Sequence, residues 1–110
     1  MSLADEWIDA WNSHDLDRVL AHYSDDFEMA SPKIVDIAGE PSGVLRGKAA
    51  VRAYWEKAMQ RVPGLRFEKL GVYTAPRSIA IRYRNQLGKE AVEVLELGSD
   101  GRVVRAAAHY

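Results

Sequence analysis

WIDAWNSHDLDRVLAHYSDDFEMASP, residues 7–32, carries the pattern that decides the fold. Trp7 and Trp11 sit four apart and share one face of a helix expected over Leu3–Asn12. Asn12-Ser13-His14-Asp15 is a polar turn, with Asp15 placed to cap a second helix. In that helix Leu16, Val19, Leu20 and Tyr23 recur at i, i+3, i+4 and i+7, an amphipathic stripe. Ser24-Asp25-Asp26 breaks it, and Phe27-Glu28-Met29 follows as a short strand stopped by Ser31-Pro32.

Outward from this stretch, residues 32–47 hold Pro32, Gly39, Pro41, Gly43 and Gly47 around a brief apolar run at Ile34–Ile37. They read as a long irregular connection, with or without a small hairpin inside; such loops serve as lids or stay disordered. A third helix follows Gly47, with Val51, Tyr54, Trp55, Ala58, Met59 and Val62 as its buried stripe and Pro63-Gly64 as its end. Strands are expected near Leu65–Tyr73, Ser78–Leu87, Glu90–Leu97 and Arg102–His109, separated by turn residues. Three helices followed by a meander predict an α+β fold with a mostly antiparallel sheet, not βαβ alternation.

The chain has 110 residues, so a single domain over 1–110 is expected. Net charge is -1, and lysines and arginines are scattered, so no nucleic-acid partner is expected. Absence of cysteine excludes disulfides, thiolate nucleophiles and cysteine-held metals, and fits a reducing compartment. MSLADEW lacks the features of a secretory leader, and no apolar run nears the roughly 20 residues that span a bilayer. A cytoplasmic protein with no membrane partner is expected. No His, Asp or Glu spacing suits a metal, and Gly39, Gly43 and Gly47 form no phosphate-binding loop. No cofactor is expected.

Alternation sorts the strands into faces. Ile79, Ile81, Tyr83 and Asn85 share one face, opposite Arg82, Arg84 and Gln86, so the first set points inward. The next strand is ambiguous: either Ala91, Glu93, Leu95 and Leu97 face in, or Val92, Val94 and Glu96 do, and periodicity alone slightly favours burying the valines. In the last strand His109 shares a face with Val103, Arg105 and Ala107. The aromatics Trp7, Trp11, Tyr23, Tyr54, Trp55 and Tyr83 are a surplus on buried faces: in an ordinary core they simply fill it, and in a fold that encloses a cavity about half are expected to line it. Met29 and Ser31, leaving the first strand, are expected at its rim.

The helix–turn–helix–strand opening resembles the nuclear transport factor 2-like superfamily. It is most similar to ketosteroid isomerases and SnoaL-like polyketide cyclases. Arg46-Gly47-Lys48-Ala49-Ala50-Val51-Arg52 and Glu93–Val104 extend the similarity. The resemblance implies a cone-shaped domain whose helices and curved sheet enclose one pocket. It puts the isomerases' aspartate base at Ser31, their tyrosine at Trp7 and their buried acid at Glu93. A serine hydroxyl cannot abstract the proton unaided, and an indole donor lies elsewhere, so ordinary ketosteroid isomerase chemistry is not expected. The resemblance also turns Glu93 inward, which leaves Val92 and Val94 outside and implies a homodimer through the convex sheet face.

Three readings of function follow. In the first, an isomerase, cyclase or hydrolase acts on a small cyclic apolar substrate, with Glu93 as acid or base, His109 as its partner, and Tyr83 and Asn85 orienting an oxygen. In the second, the same pocket binds a small apolar or aromatic ligand without turnover. In the third, aromatics fill the cavity of a dimeric interaction module.

Overall fold

The structure, a computed structural model, describes residues 2–110; residue 1, where the expected 1–110 domain begins, lies outside them. α1 (Leu3–Ser13) starts at Ser2, whose hydroxyl accepts the Asp5 N–H at 3.1 Å. Asp5 and Glu6 then place negative charge at the positive end of the helix. Ala4, Trp7, Ile8 and Trp11 form its buried stripe. The helix stops at His14, which is left-handed (φ 61°) and donates its backbone N–H to the Trp11 carbonyl. Asp15 caps α2 (Leu16–Leu20) as expected, accepting the N–H groups of Asp17 and Arg18 at 3.0 and 3.2 Å.

α2 is shorter than its apolar stripe suggested, and Tyr23 opens β1 (Tyr23–Ala30) instead. The i+7 position of a helix and the first inward position of a returning strand are both apolar, so one residue satisfies either pattern. What decides is pairing: Tyr23 lies opposite Val103 of β6 (Val103–His109), and the Val103 N–H donates to the His22 carbonyl at 2.8 Å. Asp25 and Asp26 lie inside β1 at a break in register with β6, which leaves both exposed.

The connection expected to be irregular contains a helix, α3 (Pro32–Ala38). Ser31 caps it, accepting the Lys33 N–H at 3.2 Å, and Pro32 sits in the first turn, where a missing N–H costs nothing. Ile34 is fully buried, with Ile37 and Ala38 packed beside it, so the short apolar run is a helical i, i+3, i+4 face. Gly39, left-handed at φ 72°, ends the helix. β2 (Val44–Arg46) pairs with β1, and α4 (Lys48–Arg61) buries Val51, Tyr54 and Trp55.

β3 (Glu68–Ala75), β4 (Ser78–Arg84) and β5 (Glu90–Leu97) complete a six-stranded sheet in the order β2-β1-β6-β5-β4-β3. Among the described residues only β1 and β6 pair in parallel. The fold is the expected α+β cone, with helices against a mostly antiparallel sheet and one short helix more than expected. The ambiguous strand resolves with Ala91, Glu93 and Leu95 inward. On the outer face Arg46, Glu28, Arg105 and Glu96 form a charge-alternating row across β2, β1, β6 and β5, at 2.6, 3.3 and 3.1 Å. Exposed pairs add little stability, but opposite charges placed directly across strands favour this register. Among the described residues no helix is long and apolar enough to cross a membrane.

Candidate functional site

A cavity of about 190 Å³ lies between α1, α4 and the inner face of the sheet. Its walls are aromatic: Trp7 and Trp11 from α1, Tyr54 and Trp55 from α4, Tyr83 from β4, and Phe67 from the segment before β3. Side-chain hydrogen bonds hold these walls. The Trp7 Nε1–H donates to the Tyr23 hydroxyl at 2.9 Å, and Tyr23 stands 5.4 Å from Trp55, ring to ring. Asn12 clamps the Phe67 backbone from both sides, donating to its carbonyl at 2.9 Å and accepting its N–H at 2.7 Å. His14 Nε2 adds a 2.7 Å hydrogen bond to the Leu65 carbonyl. Phe67 is thereby stacked on Trp7 at 5.8 Å and packed 4.4 Å from Tyr83. Trp11 meets Trp55 edge to face at 4.9 Å, and its buried indole N–H has no hydrogen-bond partner among the described residues.

Glu93 is the only acidic side chain on the cavity lining among the described residues. β5 sets it opposite Ile81 on β4 and Ala108 on β6, and it is only 4 % exposed. Burial disfavours its charged form and pushes the carboxyl up to about 8, with no cation among the described residues opposing the shift. The acid is therefore mostly protonated at neutral pH. The Tyr83 phenol is raised by burial and then by the Glu93 charge. Tyr110 leaves 58 % of its surface open, yet its hydroxyl end reaches inward. Burial, then Glu93, pushes that phenol up to about 12, partly offset by the nearby Ser31 and Tyr83 hydroxyls. Both phenols remain protonated donors at neutral pH. Lys33 Nζ lies 4.4 Å above the Tyr110 ring, and Lys33, Arg61, Gln86 and Tyr110, all exposed, mark the mouth.

Trp7, Trp11, Met29, Tyr54, Trp55 and Tyr83 line the cavity with Glu93. Asn85 is on the lining too, and the other three expected residues, Tyr23, Ser31 and His109, are off it. Tyr23 is fully buried behind the wall and serves Trp7. Ser31 spends its hydroxyl on capping α3 and lies near the Tyr54 and Tyr110 phenols, off the cavity lining. Asn85 borders the cavity, but it lies past the end of β4 and its Oδ1 accepts the Leu87 and Lys89 N–H groups at 2.9 and 3.1 Å, building the turn. His109 is exposed opposite Val92, whereas Glu93 faces Ala108; strand parity puts the two on opposite faces, so they are not a pair.

Tyr110, Phe67, Lys33 and Arg61 border the cavity without having been expected there. Tyr110 was within reach: once Ala106 and Ala108 face inward, alternation sends residue 110 the same way. Lys33 carried no such signal, because its helix was hidden among glycines and prolines. Among the described residues no cluster of His, Asp and Glu is arranged to hold a metal ion.

The family model of the SnoaL-like domain matches residues 4–109. The chain belongs to the SnoaL-like family. A SnoaL-like protein of unknown function from Burkholderia thailandensis is 56% identical, with 97% of this chain and 89% of that one covered and a TM-score of 0.92. An NTF2-like protein of unknown function from Burkholderia pseudomallei is 21% identical, covering 100% of this chain and 92% of its own, with a TM-score of 0.79. TerC, co-crystallised with polyporic acid, is 13% identical over 96% of this chain and 85% of its own, with a TM-score of 0.78. At such identities the last two show the SnoaL-like fold alone. No curated protein matches the chain.

Proposed function

We propose that this SnoaL-like protein is a cofactor-independent enzyme that moves a proton on a small cyclic ketone, as an isomerase or cyclase does. The observation that carries the reading is Glu93, a buried carboxyl at the floor of an aromatic cavity, where burial pushes it up to about 8. Such a group is poised near neutrality for proton transfer. Its ionised form, roughly a tenth of the molecules at neutral pH, takes a proton from the carbon beside the ketone. The electrons move onto the ketone oxygen as an enolate. The Tyr83 and Tyr110 hydroxyls donate hydrogen bonds to that oxygen, in a site where aromatic walls exclude water and strengthen them. Glu93 then returns the proton to another carbon, and atoms and charge balance without a further reagent. A neighbour of the same fold, TerC, was co-crystallised with polyporic acid, which supports a cyclic organic ligand.

The test follows α-proton exchange into deuterated water for a panel of cyclic ketones. Wild-type protein accelerates exchange of at least one, and the rate rises with pH until Glu93 is ionised above about 8. Glu93→Gln lowers the rate about a hundredfold or more while affinity changes little. Unaltered exchange in the variant, or an effect on affinity alone, refutes the enzyme reading and leaves a binding protein.

We also infer that a second copy of the chain covers the outer sheet face and that the protein works in the cytoplasm. Half-exposed Val92 and Val94 support the first, and the lack of cysteine supports the second.

A further inference from the structure

Three charged side chains line the cavity: Glu93 at the floor, and Lys33 and Arg61 at the mouth. Burial keeps Glu93 mostly neutral at neutral pH, so the lining's charge is positive. Among the described residues neither Lys33 nor Arg61 makes an ion pair, whereas Arg52 on the same helix as Arg61 holds Asp17 at 2.5 Å and Glu56 at 3.0 Å. Helix stability accounts for Arg61, in the last turn of α4, but not for Lys33, which stands in the first turn of α3, the wrong end for a cation. Lys33 is held instead over the Tyr110 ring at the cavity rim. Size adds a second constraint. At about 190 Å³ the cavity is slightly larger than the roughly 150 Å³ that accepts benzene in an engineered core. One ring fills it, and any substituent emerges at the mouth.

We propose that the ligand is a monocyclic anion, with one six-membered ring among the aromatics and an ionised acidic group emerging between Lys33 and Arg61. The proposal rests on the cyclic-ketone reading and narrows it to ketones that carry an acid. A neutral ligand would leave the two cations at the mouth without a partner.

Calorimetric titration of the full chain tests this with a matched pair of ligands: a six-membered cyclic ketone bearing a carboxylate across the ring, and the same ketone bearing a primary carboxamide. Their shapes match and their charges differ. The carboxylate binds about tenfold more tightly, and its advantage shrinks as salt is raised. Combined Lys33→Gln and Arg61→Gln substitutions abolish the advantage. Lys57→Gln, an exposed cation on α4 away from the cavity lining, preserves it. Equal affinity of acid and amide for the wild type overturns the anion proposal while leaving Glu93 chemistry to the exchange assay. Binding of neither member overturns the proposal together with the cyclic-ketone reading.

Discussion

Glu93 is buried without a compensating cation, and such a carboxylate is costly in its charged form. Folding therefore raises its pKa from 4.5 to about 8. The unfolded chain releases this proton near 4.5, while the native state holds it until about 8. Below 4.5 both states are protonated and the group costs no charge burial. As pH rises through this window the native state loses stability relative to the unfolded one, by on the order of a few kcal/mol once both are ionised. Glu93→Gln keeps the shape and removes the titration. Urea unfolding across the window should show wild-type stability falling with pH more steeply than that of the variant; parallel curves would mean that Glu93 titrates normally. Trp7, where the resemblance puts the isomerases' tyrosine, gives its one donor to Tyr23, so the enolate donors proposed here are Tyr83 and Tyr110.

At the scale of elements, the cavity wall depends on how the end of α1 grips the segment leading into β3. Asn12 makes both hydrogen bonds to the Phe67 backbone, and Phe67 closes the wall between Trp7 and Tyr83. Asn12→Ala should cost roughly 1–3 kcal/mol, because two partly buried backbone groups lose their partner. Weaker ligand binding should accompany the loss. A variant as stable as wild type by thermal unfolding would show that the clamp is not needed. α1, α4 and the β3–β6 meander were legible in the sequence because their apolar positions repeat at 3.6 or 2 and their ends carry strong turn residues. α3 was not, because seven residues bounded by Pro32 and Gly39 are too few for periodicity to outweigh breaker chemistry. Tyr23 was read onto the wrong element because only the long-range pairing of β1 with β6 distinguishes strand from helix there. The inward turn of Glu93 came from the family resemblance; alternation alone slightly favoured burying Val92 and Val94, and the structure turns them outward. The pairing of Glu93 with His109 overlooked parity: neighbouring strands bring residues close, but opposite faces keep them apart.

The whole molecule places an aromatic cavity on one side of the sheet and a mixed surface of valines, alanines and paired charges on the other. If a second copy covers that outer surface, sedimentation at micromolar concentration gives a dimer, and Val94→Asp gives a folded monomer; a wild-type monomer would refute the inference. The cavity lies on the opposite side of the sheet from that surface, so the dimer and the site are tested separately. The chemistry of the site turns on the protonation of one carboxyl. Carbon-detected NMR of protein labelled at the glutamate side-chain carboxyl, assigned by comparison with Glu93→Gln, follows it directly. The prediction is a Glu93 resonance whose midpoint lies at about 8; a midpoint at the ordinary 4.5 would contradict both the electrostatics of the site and the chemistry proposed for it.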